Sequence, residues 1–153
     1  MKSIESLRKI VEKEAKKQPV IVVVSALGGI TDKLIATSKM AENGNEAWRI
    51  SYEEIVDRHY KMIDTIITDN AIRVELFATV DTLLEQLKSI LFGVFLVHDL
   101  SKKSYDAIVS YGERLSSHIV AALIRGSKRL NSLDFIMTER KDNRHVLDSE
   151  LTN

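Results

Sequence analysis

The sequence of 153 residues contains no cysteine, and its 22 basic and 22 acidic residues leave no net charge. Without cysteine the chain can form neither a disulfide nor a thiolate metal site. The balanced charge argues against nucleic acid or an anionic membrane surface as a main partner. An uninterrupted apolar run of about 20 residues, which a membrane-spanning helix requires, is also absent. We therefore expect a cytoplasmic globular chain without a signal peptide or a membrane span.

The four histidines do not form a metal-binding pattern. His59 lies on an apolar helical stripe, which is typical of a core or boundary residue. His98, His118 and His145 have no cysteine, histidine or carboxylate at a helical or hairpin ligand spacing. The sequence therefore predicts no metal site in this chain.

Among the apolar residues that are present, five β-branched side chains follow one another at residues 20–24. Such a run predicts a strand buried on both faces, as in a parallel sheet. Gly28 and Gly29 follow, and a helical pattern begins directly after them. A backbone without Cβ atoms permits close approach, and the first N–H groups of a helix lack partners within it. With the hydroxyl groups of Ser25 and Thr31, this turn is either a site for a carboxylate or phosphate, or a purely structural turn.

A second informative segment is the helix that we predict for residues 104–124, where apolar residues recur at spacings of three and four. Gly112 lies in its middle, where glycine costs about 1 kcal/mol relative to alanine, so we interpret it as a point where another backbone approaches. Glu113 shares a polar stripe with Ser110 and Ser117. It is either a solvated charge or a carboxylate at the rim of a crevice, where it could pair with a substrate ammonium group.

The remaining periodicity predicts further helices around a small sheet. The first helix should end near Pro19, and the second should be closed by the asparagine and glycine residues at 43–45. The second helix should span residues 30–40, and further helices are expected at 52–66 and 76–94, with short strands near 128–132 and 145–147 and a polar loop at 139–144.

Taken together, these segments resemble one known family. The residues VVVSALGGIT at 22–31, SYGERLSS at 110–117, and then DFIMT at 134–138 and VLD at 146–148 are similar to the aspartokinases of the amino acid kinase family. The resemblance extends from about residue 20 to residue 152, and SYGERLSS is typical of aspartokinases in particular. The helical segment at about 46–100 is closest to the insertion of bifunctional aspartokinase–homoserine dehydrogenases.

The resemblance implies a fold and an activity. The fold is α/β, the helix-rich N-terminal lobe of an amino acid kinase with a small, mainly parallel sheet. The family uses ATP and Mg2+ to phosphorylate the side-chain carboxylate of L-aspartate, a step in lysine, threonine and methionine biosynthesis. Ser25 and Thr31 would bind aspartate through their hydroxyl groups, and the backbone of Gly28 and Gly29 would border the carboxylate and the transferred phosphoryl group. Glu113 would contact the substrate amino group.

Two segments of the family pattern have no counterpart in this sequence: an opening strand with Lys-Phe-Gly-Gly-Thr-Ser, and a later Gly-Arg-Gly-Gly-Ser-Asp. We therefore expect residues 1–153 to be a partial catalytic domain, the amino-acid-binding lobe without the first strand and the C-terminal lobe. By itself it should be inactive, should bind neither ATP nor Mg2+, and could self-associate non-natively through the edge at residues 20–24. The alternatives are another amino acid kinase, acting on glutamate, acetylglutamate or a nucleotide, or a non-catalytic helical interaction module.

Overall fold

The computed structural model describes residues 2–141, 144–150 and 152. Helices dominate this part of the chain, and a short 3₁₀ helix and a two-stranded sheet follow them. In chain order the elements are α1 (Lys2–Ala15), α2 (Ile30–Glu42), α3 (Trp48–Ile66), α4 (Asn70–Val97), α5 (Lys102–Leu123), the 3₁₀ helix (Ser132–Asp134), β1 (Thr138–Lys141) and β2 (Arg144–Leu147). No described helix is both long enough and apolar enough to cross a membrane.

The hydrophobic core lies between α2, α3, α4 and α5. Each of these helices turns one apolar stripe inward, and α2 packs against the other three. Ile55, Leu87 and Leu115 are completely buried there. Trp48 begins α3 inside the same core, with its ring centroid 6.1 Å from that of Phe95. This packing fixes α5 relative to the start of α2, which positions the site described below.

The ends of the helices follow local sequence signals. Gly44 closes α2 with a positive φ of 65°, as the sequence predicts for residues 43–45. Asp69 precedes α4, and its side chain accepts hydrogen bonds from the N–H groups of Ala71 at 2.9 Å and Ile72 at 3.2 Å. The α3–α4 boundary is therefore held by a capping carboxylate. Both helices lie within the segment that the resemblance interprets as an insertion, an interpretation that stays a prediction.

His59 is a core residue, as its apolar stripe predicts. The side chain is 0% exposed, and Nδ1 lies 2.7 Å from the carbonyl oxygen of Ile55. Nδ1–H therefore donates to that carbonyl, while Nε2 has no hydrogen-bond partner among the described atoms. Burial lowers the pKa of this imidazole, because the charged form would lose its hydration.

The prediction of a mainly parallel sheet around residues 20–24 is wrong. Within the described residues the sheet consists of β1 and β2, which are antiparallel, with Thr138 opposite Leu147. Ile21 and Val23 are 88% and 91% exposed, whereas the valines that alternate with them are half-buried. The alternation is that of an extended segment with one covered face. A β-branched run favours this conformation, but a strand also needs hydrogen bonds from a neighbouring strand, and the described residues provide none here.

The prediction for the C-terminal part is correct for one strand and wrong for the other. Residues 145–147 lie within β2, but residues 128–131 form no regular element and a 3₁₀ helix follows them. The predicted polar loop at 139–144 is largely part of a hairpin. Its polar residues are in strands because β1 and β2 are hydrogen-bonded to each other. Residues 142 and 143 of that loop lie outside the described residues.

Candidate functional site

A glycine turn leads into α2, as predicted. Gly29 is the N-cap residue and has φ 81° and ψ −5°, a left-handed conformation that side chains disfavour. The N–H of Ile30 donates to the carbonyl of Leu27 at 2.9 Å and tightens the turn. A Cβ atom built on Gly28 or Gly29 would meet no atom within 4 Å. The space over this backbone is therefore open to a ligand.

The start of α2 offers the polar groups that an anion requires. Gly29 has no side chain, and no side-chain cap bonds to the first turn of the helix. The N–H groups and the positive end of the helix dipole favour a negative charge at this position. Ser25 is exposed on one side of the turn, and Thr31 is half-buried on the other. The structure thus keeps both hydroxyl-bearing residues beside the turn, as the sequence predicts.

Helix α5 runs beside this turn and brings Glu113 to it. The N–H of Ala26 donates to Glu113 Oε1 at 3.3 Å, across 87 residues of sequence. Glu113 is half-buried. The structure thus brings Glu113 next to the Ser25 turn, as a shared aspartate site requires, whereas the role of its carboxylate in substrate binding stays a prediction.

Ser116 also belongs to the site, although its role was not predicted from the sequence. It is 1% exposed, and its Oγ lies 2.7 Å from the carbonyl oxygen of Ser25 and 3.1 Å from that of Glu113. A serine hydroxyl has one proton to donate, so the shorter contact with Ser25 is the stronger one. The sequence did contain a signal for this role, because Ser116 places a hydroxyl group three residues after Glu113, on the apolar side of α5.

Gly112 explains how the turn approaches α5 so closely. A Cβ atom at Gly112 would lie 2.7 Å from the Cβ of Ala26, which is closer than carbon atoms pack, and 3.5 Å from Leu34 Cδ1. The close approach that was expected at Gly112 is therefore confirmed, but the nearest atom is the side-chain methyl group of Ala26 and not a backbone atom. Without this gap, Glu113 and Ser116 could not reach the backbone of residues 25 and 26.

Comparison with known proteins identifies the class of protein. The model of the amino acid kinase family matches residues 2–151, and the chain therefore belongs to the amino acid kinase family. It is also similar to Aspartokinase 1, chloroplastic, of Arabidopsis thaliana, with 26% identity over 140 residues that cover 84% of this chain. The alignment covers 23% of that relative, so the chain spans about a quarter of its length. The predicted relationship to aspartokinases is confirmed at this level, and a bifunctional parent stays a prediction.

Proposed function

We propose that this chain is part of an aspartate kinase, in which the glycine turn and α5 bind L-aspartate for phosphorylation of its side-chain carboxylate by ATP. The observation that carries the proposal is the hydrogen bond from Ala26 N–H to Glu113 Oε1. It holds a carboxylate beside an open, anion-attracting turn. The similarity to a chloroplastic aspartokinase supports the choice of substrate.

The charges around the turn complement those of L-aspartate. The substrate carries one ammonium group and two carboxylates. Glu113 would accept hydrogen bonds from the ammonium group, since charge-assisted hydrogen bonds are the strong ones. The hydroxyl groups of Ser25 and Thr31 and the backbone N–H groups of Gly28 and Gly29 would donate to the side-chain carboxylate and to the phosphoryl group transferred to it.

In this proposal the chain mainly orients L-aspartate for phosphoryl transfer. Phosphoryl transfer demands little covalent chemistry from a protein and depends on positioning and on stabilising the transferred charge. ATP and Mg2+ would be cofactors of the longer protein, where bound Mg2+ neutralises phosphate charge. The described residues contain no group of three or more histidine or acidic side chains that could hold a metal ion. We therefore assign no Mg2+ ligand among them.

We further propose that the isolated chain has no kinase activity. It corresponds to 23% of the length of its chloroplastic relative. Stabilisation of the transferred charge is usually the largest catalytic contribution, and in this proposal much of it comes from parts of the parent protein that this chain does not contain.

A substrate panel tests the proposal. The purified full-length parent is incubated with ATP and L-aspartate, L-glutamate, N-acetylglutamate or a nucleoside monophosphate, and ADP release is measured. Hydroxylamine then traps any acyl phosphate as a hydroxamate. We expect turnover with L-aspartate and none with the 153-residue chain. Preference for another substrate would contradict the assignment to aspartate, hydroxamate formation by the isolated chain would contradict its inactivity, and an inactive parent would favour an interaction module.

A further inference from the structure

A cluster of cationic and polar side chains lies on α5 directly after Glu113 and within the next helical turn. Its members are Arg114, Ser117 and His118, together with Arg129 from the segment that follows the helix, and all four are half-buried. Arg114 and His118 are four residues apart and therefore neighbours on the same helical face. The cluster contains none of the residues that the proposed aspartate site uses.

A tight turn after α5 returns Arg129 to the helix. Gly126 has a φ of 73°, the left-handed conformation that favours glycine. The N–H of Ser127 donates to the carbonyl of Ile124 at 3.2 Å, and its Oγ donates to the carbonyl of Ala121 at 2.8 Å. The chain thereby reverses its direction, and Arg129 Nε reaches Ser117 Oγ at 2.9 Å.

The hydroxyl group of Ser117 fixes the orientation of Arg129. Ser117 Oγ donates its proton to the carbonyl of Arg114 at 2.8 Å, so that a lone pair accepts from Arg129 Nε. The terminal nitrogens of Arg129 make no hydrogen bond to another described residue. The guanidinium group is thus held by one edge while its outer N–H groups stay available to a ligand.

The second guanidinium group is also held in place. The Cζ atom of Arg114 lies 4.2 Å from the centroid of the Tyr111 ring, and its Nη2 lies 3.4 Å from Gln86 Oε1. A cation over an aromatic face is attracted to it and loses mobility. Stacking and the glutamine contact hold Arg114 against α5, on the face that it shares with His118.

The two arginines give the cluster a positive charge. Among the described residues, neither arginine forms a salt bridge. Burial lowers the pKa of His118 to about 4, and the charges of Arg129 and Arg114 add to this effect. An anion bound between the arginines would reverse the electrostatic contribution and favour a protonated imidazole.

We propose that Arg114, Ser117, His118 and Arg129 form a binding site for a phosphate group, either free phosphate or the phosphate of a small monoester. Guanidinium groups match the geometry of phosphate oxygens and can donate two parallel hydrogen bonds. Two fixed guanidinium groups can balance both charges of a phosphate above its second pKa of about 6 and its single charge at lower pH. This inference is separate from the proposed kinase function and does not depend on it.

Histidine titration by NMR on the 153-residue chain tests the site. The pKa of His118 is measured in chloride, in inorganic phosphate and in methyl phosphate at equal ionic strength. Bound phosphate should raise this pKa by about 1–3 units relative to chloride, the usual effect of an adjacent opposite charge. A response to both phosphates supports recognition of the group itself, and a response to inorganic phosphate alone supports a site for the free ion. Equal pKa values in all three anions would overturn the proposal.

Charge-matched variants make the test specific. Arg129→Gln should abolish the phosphate response of His118, and Arg114→Gln should weaken it. Arg125→Gln removes the same charge from an exposed position outside the cluster and should leave the response intact. The NMR spectrum of each variant reports whether the chain is still folded. An unchanged response in folded Arg129→Gln and Arg114→Gln chains, or loss of the response in Arg125→Gln, would overturn the assignment.

Discussion

The helical core and the segment at residues 20–29 are both rich in aliphatic residues, yet they are held in different ways. Ile55 and Leu87 in the core are completely buried, whereas Ile21 and Val23 in the segment are 88% and 91% exposed. Burial stabilises the core, but the segment lies on α5 through hydrogen bonds to Glu113 and Ser116. Mutations should therefore change the stability of the core and the geometry of the candidate site separately.

The largest expected effect separates the two regions directly. Leu87→Ala removes a completely buried side chain and should lower the free energy of unfolding by about 2–5 kcal/mol, through lost burial and a cavity. Val23→Ala shortens a side chain that is 91% exposed and should change the free energy of unfolding by less than about 0.5 kcal/mol. Urea denaturation measures both values. A comparable loss in the two variants would show that residues 20–24 are packed like the core.

The contact between α5 and the segment can be broken at Gly112. Gly112→Ala gains helix propensity, but its methyl group would lie 2.7 Å from Ala26 Cβ and force the backbone apart. We expect a net destabilisation of about 1–2 kcal/mol and faster hydrogen exchange at the Ala26 amide.

Gly93→Ala is the matched control for this prediction. Gly93 is exposed within α4, and a Cβ atom there would meet nothing within 4 Å. Its replacement should stabilise the chain by about 0.5–1 kcal/mol. Adding Ala26→Gly to Gly112→Ala should recover most of the loss. If Gly112→Ala stabilised the chain as much as Gly93→Ala does, no close contact would exist at this point.

Removal of the Ser116 hydroxyl should have a smaller effect. Ser116→Ala leaves the carbonyl of Ser25 without its donor and should cost about 0.5–1.5 kcal/mol. Hydrogen exchange at residues 25–27 should accelerate, while exchange in the core should change little. In the control Ser89→Ala, an exposed hydroxyl that bonds only to its own helix is lost, and stability should change by less than about 0.5 kcal/mol.

The stability of the chain should also depend on pH. Burial lowers the pKa values of His59 and His118 in the folded chain, to about 4 for His118. Below the unfolded value of about 6.5, the unfolded chain binds protons that the folded chain resists. The free energy of unfolding should therefore fall as the pH falls from about 6.5 toward 4. Replacing both histidines by glutamine should flatten the profile between pH 7.5 and 5, and an unchanged slope would refute this origin.

Local patterns in the sequence predicted the helices, the glycine turn and the close contact at Gly112. Apolar spacing placed the main helices, and two glycines placed the start of α2 at Ile30. Because a helix and a glycine turn are specified by neighbouring residues, these features could be read directly. The same is true of Gly112, whose position within a helix indicated a close contact.

Features that depend on distant parts of the chain could not be predicted. Residues 20–24 have the composition of a buried strand, but whether they pair depends on another segment. Of the two strands of the hairpin, β1 could not be predicted, because its sequence Thr-Glu-Arg-Lys is polar and its composition does not indicate a strand. The hydrogen bond from Ser116 to Ser25 spans 91 residues and becomes visible only in three dimensions.

The role of Glu113 in aspartate binding is tested most directly by the effect of Glu113→Gln on the full-length parent. Glutamine keeps an oxygen that can accept from Ala26 N–H but removes the negative charge. We expect kcat/KM for L-aspartate to fall about 10- to 100-fold, the equivalent of one charge-assisted hydrogen bond of roughly 1.5–3 kcal/mol. Inhibition by succinate, which has both carboxylates but no amino group, should be unchanged. Glu75→Gln, at an exposed position on α4, serves as the control. Unaltered aspartate kinetics in Glu113→Gln, or an equal loss of succinate binding, would contradict the assignment of Glu113 to the substrate ammonium group.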